Sequence, residues 1–123
     1  MGLKVLVVDD DMINRMLLKT LLKKHPDVTD ILEAENGSEA LNKVKEDNTI
    51  DMILLDIMMP IVDGIEFLKI FRADMDHAYI PVIVLSTDDT KKTEVFENGA
   101  NDFIRKPVKE EALFEKINQW THH

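Results

Sequence analysis

Short apolar runs and helical patterns alternate along this chain from end to end, and the runs stop at polar residues. Met52-Ile53-Leu54-Leu55 stops at Asp56. Leu3-Lys4-Val5-Leu6-Val7-Val8 stops at Asp9, Asp10 and Asp11. Val82-Ile83-Val84-Leu85 stops at Ser86, and Asp102-Phe103-Ile104 runs into Arg105-Lys106-Pro107. A near-continuous apolar run of this length reads as a strand covered on both faces. Strands are therefore expected near residues 4–8, 30–34, 52–55, 82–85 and 102–104, and helices near 12–24, 38–47, 65–73, 90–98 and 110–120. Five strand–helix pairs with short joints imply an α/β domain, a single five-stranded parallel sheet with helices on both faces. The carboxyl ends of such strands share one rim, where ligands bind. The chain thus brings several carboxylates, a hydroxyl and an ammonium to one rim, a set suited to a divalent cation and a phosphoryl group.

At 123 residues the chain is expected to be one domain over 1–123, and its 45% hydrophobic content is enough for a packed core. No apolar run approaches the roughly 20 residues a spanning helix needs, so no membrane segment is expected. Met1-Gly2-Leu3-Lys4 enters a strand directly, which argues against a signal peptide and for the cytoplasm. The absence of cysteine removes disulfides, thiolate metal sites and cysteine nucleophiles. A net charge of −9 with no opposing Lys/Arg cluster argues against direct nucleic-acid binding, whose affinity rests on phosphate neutralisation. The same acidic balance favours a soluble monomer.

The first helix carries Ile13, Met16, Leu17 and Leu21 at helical spacing, with Asp11 placed to cap it. The second opens on Asn36-Gly37-Ser38-Glu39, a cap with an acid three residues on. The last carries Leu113, Ile117 and Trp120 on one face. The fourth helix is sparse: Val95 and Phe96 are its only large apolar residues, Thr87 to Thr90 can cap its start and Gly99 can end it. A helix so thinly anchored is the kind of element from which switching segments are drawn. His25, His77, His122 and His123 show no metal-ligand spacing and fall on no strand end; His122 and His123 are either tail or expression residues.

Four signals occur in order on these strands: an acidic pair after the first, Asp-x-x-Met-Pro-x-x-Asp-Gly from Asp56 to Gly64 after the third, a hydroxyl after the fourth, and Lys106-Pro107 after the fifth. Together they resemble the receiver domain of two-component response regulators, the stand-alone chemotaxis-regulator type included, over about residues 3–120. The resemblance implies the flavodoxin-like (βα)5 fold with strand order 2-1-3-4-5, an order that belongs to the family and that the spacing of the runs does not dictate. It implies that Asp56 is the phosphoacceptor, forming an aspartyl phosphate as nucleophilic carboxylates do. Three carboxylates in one pocket repel, and Mg²⁺ relieves this while neutralising phosphoryl oxygens. By resemblance its ligands are Asp10 and Asp56, the backbone carbonyl of Met58, and Asp9 mainly through water. Lys106 pairs with the phosphoryl oxygens, aimed by a cis bond to Pro107. Ser86 is the switch hydroxyl, and Phe103 takes the aromatic switch position, where it lacks a tyrosine hydroxyl but can turn inward on activation. Met58 and Asp88 flank the site at positions that tune aspartyl phosphate lifetime, and Asp63-Gly64 forms the entry to the third helix.

The first reading is a signalling module, not an enzyme beyond its own phosphorylation and dephosphorylation. Its partners would be a sensor histidine kinase or phosphotransfer protein and a downstream protein bound by the face of the fourth helix, fifth strand and fifth helix. This first reading is of a stand-alone receiver; the alternative is a receiver excised from a larger regulator or hybrid kinase. A Mg²⁺-dependent phosphohydrolase would carry its nucleophile in an Asp-x-Asp after the first strand with an acid-base partner, and Asp9-Asp10-Asp11 lacks a clear one. A receiver-fold interaction domain that is never phosphorylated would have lost an acid or the lysine, and neither is lost.

Overall fold

The computed structural model describes residues 2–59, 63–74 and 79–121. Strands β1 (Leu3–Val8), β2 (Val28–Ala34), β3 (Met52–Asp56), β4 (Val82–Ser86) and β5 (Asp102–Arg105) alternate with helices α1 (Met12–Leu22), α2 (Gly37–Glu46), α3 (Gly64–Ala73), α4 (Lys92–Glu97) and α5 (Glu110–Thr121). All strand pairs are parallel, in the order β2-β1-β3-β4-β5. Fold class and strand order match the expectation. Pro60, His77, His122 and His123 lie outside the described residues.

Side chains of a strand alternate between faces, so each buried strand feeds two cores. Val5, Val7, Met52, Leu54, Ile83, Leu85 and Ile104 pack with Leu18 and Leu22 of α1 and Leu113 and Ile117 of α5. Leu6, Val8, Ile53, Leu55, Val82 and Val84 pack with residues of α2 and α3 and with Val95 of α4. The three central strands are thus buried on both sides, and their polar carboxyl-terminal residues are left at the rim. His25 is a further buried polar group. Its Nδ1 accepts from the Asp27 N–H at 3.1 Å, so Nε2–H donates to Asn118 Oδ1 at 2.9 Å and ties the end of α1 to α5.

Local chemistry explains the helix starts. Asp11 accepts from the Ile13 N–H at 2.8 Å, Asn36 from the Glu39 N–H at 2.8 Å and Asp63 from the Glu66 N–H at 2.9 Å. Gly99, with φ of 106°, closes α4 in the left-handed conformation that favours glycine.

Two expectations about helix faces need correction. The inward face of α1 is Arg15, Leu18 and Leu22, while Ile13, Met16 and Leu17 are 64%, 56% and 61% exposed. Apolar residues occupy too much of this helix for spacing alone to choose a face. The α4 segment begins with a 3-10 turn over Asp89–Lys91 before one short α-helix, and only Val95 is buried; Phe96 is exposed, so α4 is held even more thinly than expected.

Candidate functional site

Asp56 is the last residue of β3 and Asp9 the first after β1; they are 7% and 1% exposed, whereas Asp10 is exposed. Carboxylate oxygens of Asp9, Asp10 and Asp56 all lie within 4.8 Å of one another. Lys106 reaches over from the end of β5. Its Nζ is 3.4 Å from Asp9 Oδ2 and 3.5 Å from Asp56 Oδ1. The Lys106–Pro107 peptide is cis, as the resemblance implied. Asp9 Oδ1 also accepts from the Asp11 N–H at 2.9 Å, and Asp56 Oδ1 takes a long contact, 3.4 Å, from the Met58 N–H.

Burial pushes the Asp56 carboxyl up to about 6; Lys106 opposes that rise, and the Asp9 charge adds to it. One ammonium among three carboxylates leaves the pocket two positive charges short. Hard, closely spaced oxygens with that deficit fit a divalent cation. Among the described residues no other cluster of carboxylates and histidines is gathered in this way. Asp10 and Met58 together line a cavity of about 340 Å³.

Ser86 ends β4 beside this pocket and is 3% exposed. Its Oγ accepts from the Asp88 N–H at 3.0 Å, and Asp88 Oδ1 in turn accepts from the Thr90 N–H at 2.9 Å. The hydroxyl, the loop and the 3-10 turn are therefore one hydrogen-bonded unit. Phe103 is 9% exposed and packs in the same core cluster as Val84, Val95 and Ala100, with Lys92 Nζ 5.9 Å from its ring centroid. The ring is already inside, so the expected inward turn has no outward starting point in this conformation.

Two cations near the site were not singled out from the sequence. Lys91 lines the Asp10–Met58 cavity. Arg15 is buried beneath the acidic loop and donates to the Asp9 carbonyl. The available signal for Arg15 was its place one helical turn after the Asp11 cap, on the same face as Leu18 and Leu22.

The model of a family described as response regulator receiver domain matches residues 5–118. The chain is 33% identical over 117 residues to protein PilH of Pseudomonas aeruginosa, covering 94% of each chain. It is 34% identical over 119 residues to chemotaxis protein CheY of Bacillus subtilis, covering 97% of this chain and 98% of the other. It spans only 7% to 30% of longer relatives, sensor kinases among them. The receiver domain of a Pseudomonas aeruginosa sensor histidine kinase superposes with a TM-score of 0.90 over the whole of both chains, at 22% identity. That likeness is one of fold; the structure concerned holds a magnesium ion in its active site cleft.

Proposed function

Because the chain belongs to the response regulator receiver domain family, we propose that it is a phosphorylation-operated protein switch whose acceptor is Asp56. The observation that carries this reading is the Lys106 ammonium set between the Asp9 and Asp56 carboxylates at 3.4 and 3.5 Å, beside an exposed third acid. An oxygen of ionised Asp56 forms the new P–O bond while the P–N bond of a donor phosphohistidine breaks, and the imidazole leaves with the electron pair. Lys106 follows the charge onto the phosphoryl oxygens. Asp10, Asp56 and the Met58 carbonyl would hold Mg²⁺, with Asp9 behind a water; the ion supplies neutralisation of the carboxylates and of the phosphoryl group. Water later cleaves the acyl phosphate, so catalysis is confined to the chain's own phosphorylation and dephosphorylation.

The donor would be a sensor histidine kinase or phosphotransfer protein acting in the cytoplasm. Its docking is supported by the exposed apolar residues Met12, Ile13, Met16 and Leu17 of α1, and by an apolar groove of about 550 Å³ that Leu17, Leu21 and Val108 line together with Asp9 and Lys106. A helix presenting phosphohistidine suits a surface that is apolar, elongated and continuous with the acceptor. Output would leave by the α4–β5–α5 face, where a cleft of about 570 Å³ is lined by Phe103, Arg105, Lys109 and Lys116.

Ser86 would couple the two faces. A hydroxyl accepts and donates at once, so Oγ can keep the Asp88 N–H while donating to a phosphoryl oxygen. Drawing Ser86 inward then draws the capped turn ahead of α4. Full switching needs about 5.5 kcal/mol of differential preference, whereas one charged hydrogen bond contributes about 1.5–3. Ser86 therefore shares the lever with Lys106 and the cation.

The test is intact-mass measurement after incubation with acetyl phosphate. The parent gains one phosphoryl mass with Mg²⁺ and none with chelator, and Asp10→Ala gains little under either condition. A parent that takes up no phosphoryl group with Mg²⁺ contradicts the reading.

A further inference from the structure

Arg15 is 7% exposed on a helix whose other inward residues are leucines. A buried guanidinium is costly unless its donors are matched, so its partners define its task. Nε donates to Glu33 Oε1 at 3.2 Å, and Nη2 lies 3.8 Å from Glu35 Oε1. Both glutamates belong to the wetter edge, with side chains 37% and 67% exposed, and Glu33 also takes Lys19 at 3.0 Å. The remaining partner is of another kind. Nη1 donates to the buried, neutral carbonyl of Asp9 at 2.7 Å, the shortest of the contacts.

That carbonyl belongs to the peptide joining Asp9 to Asp10. The N–H of Asp9 is itself held by the Ala34 carbonyl at 3.1 Å. With Asp9 fixed at both ends, the planarity of the next peptide sets where the nitrogen and Cα of Asp10 stand. Asp10 needs this, because among the described residues no hydrogen bond or ion pair holds its carboxylate, which is exposed at the rim. The helix shares the register: the Arg15 N–H donates to the Asp11 carbonyl at 3.1 Å, one turn back.

We propose that Arg15 is a positioning residue for the cation site: its grip on the Asp9 carbonyl fixes the Asp9–Asp10 peptide and so aims the Asp10 carboxylate at Asp56. Glu33 and Glu35 orient the guanidinium fork and are not themselves needed for the cation. The inference rests on the reading that Asp10 and Asp56 hold Mg²⁺. Residues that orient metal ligands typically change affinity by about 10–100-fold when removed.

The experiment is a Mg²⁺ titration followed by backbone amide shifts on the parent, Arg15→Met, Arg15→Lys and Glu33→Gln. Arg15→Met should bind Mg²⁺ about tenfold or more weakly while its β3 and β4 amides keep their parental shifts. Arg15→Lys, whose ammonium can reach the same carbonyl, should recover part of the loss. Glu33→Gln should stay within about twofold of the parent. Parental affinity in Arg15→Met, or an equal loss in Glu33→Gln, overturns the proposal. If Arg15→Met does not fold, the parent decides by reciprocity: a brace that favours the cation must be tightened by it. The Arg15 Nη protons should then exchange with water more slowly in Mg²⁺, and unchanged exchange overturns the proposal. A parent that binds no Mg²⁺ overturns both this inference and the reading beneath it, whereas a parent that binds while Arg15→Met binds equally removes this inference alone.

Discussion

Asp56→Asn should make the metal-free protein more stable at pH 7, by about 2–3 kcal/mol, while abolishing phosphoryl uptake. The cause is the raised pKa of Asp56, about 6 against an ordinary 3.8. Burial is the largest contributor, Lys106 offsets part of it, and Asp9 adds to it. Each pKa unit corresponds to roughly 1.4 kcal/mol of preference for the neutral form. Between the unfolded and folded pKa values the folded chain binds the extra proton, so this residue's contribution to stability falls as pH rises through that window. Above about 6 the destabilisation is complete; below about 4 it has gone. Asparagine is neutral throughout, so the gap between variant and parent should be full at pH 7 and close by pH 4. Asp47 and Glu33 titrate in the opposite sense. Hydrogen bonds from Lys4 and Thr49 hold Asp47 low, and one from Lys19 does the same for Glu33, so the parent's own pH curve mixes both effects. The difference between the two proteins isolates Asp56. Urea unfolding in chelator at pH 4 and pH 7 measures it, and a variant no more stable than the parent at pH 7 contradicts the expectation.

Gly64→Ala should be destabilising and should also reach the acceptor. A Cβ at Gly64 would stand 2.7 Å from the Asp56 carbonyl oxygen and 2.7 Å from Ile57 Cα. Both are backbone atoms of the strand end that carries the nucleophile, so no side chain can turn away to make room. The Gly64 N–H also donates to the Ile57 carbonyl at 2.9 Å, which pins the start of α3 against this loop. Overpacking of this kind costs roughly 1–3 kcal/mol, and here the relief must come from moving residues 56 and 57. Thermal unfolding together with intact-mass labelling should show a lower midpoint and slower phosphoryl uptake. Equal stability of Gly64→Ala and parent would show that the strand end yields without cost.

The strands and the rim were legible because each central strand is apolar on both faces and ends in one polar residue. Asp56, Asp9 and Ser86 could therefore be placed at the rim from the order of residues alone, whereas Lys106, after the edge strand β5, was singled out by the Lys106-Pro107 pair that the family resemblance carries. Asp11 and Asn36 were legible as caps because capping is a local contact between a side chain and a backbone only two or three residues away. The inward face of α1 was not legible. Met12, Ile13, Met16 and Leu17 are as apolar as Leu18 and Leu22, and the rotation of the helix is fixed by non-local contacts, among them that of Arg15 with the Asp9 carbonyl. The burial of Arg15 was hidden for the same reason, since its carbonyl and carboxylate partners lie on the β1 end and on or next to β2. The strand order came with the family resemblance, because parallel strands with similar runs do not declare their neighbours. The 3-10 turn ahead of α4 depends on Asp88 bonding Thr90 and Ser86 bonding Asp88, a loop chemistry that periodicity does not register.

Whether Asp56 carries the phosphoryl group is tested most directly by chemical trapping. Protein loaded with acetyl phosphate and Mg²⁺ is treated with borohydride, which reduces an acyl phosphate to the alcohol and releases phosphate. The modified aspartate becomes homoserine, and peptide mass locates it. Homoserine is expected at position 56 and nowhere else, with none when Mg²⁺ is withheld. Homoserine at Asp9, Asp10 or Asp11 with Asp56 unmodified would contradict the assignment.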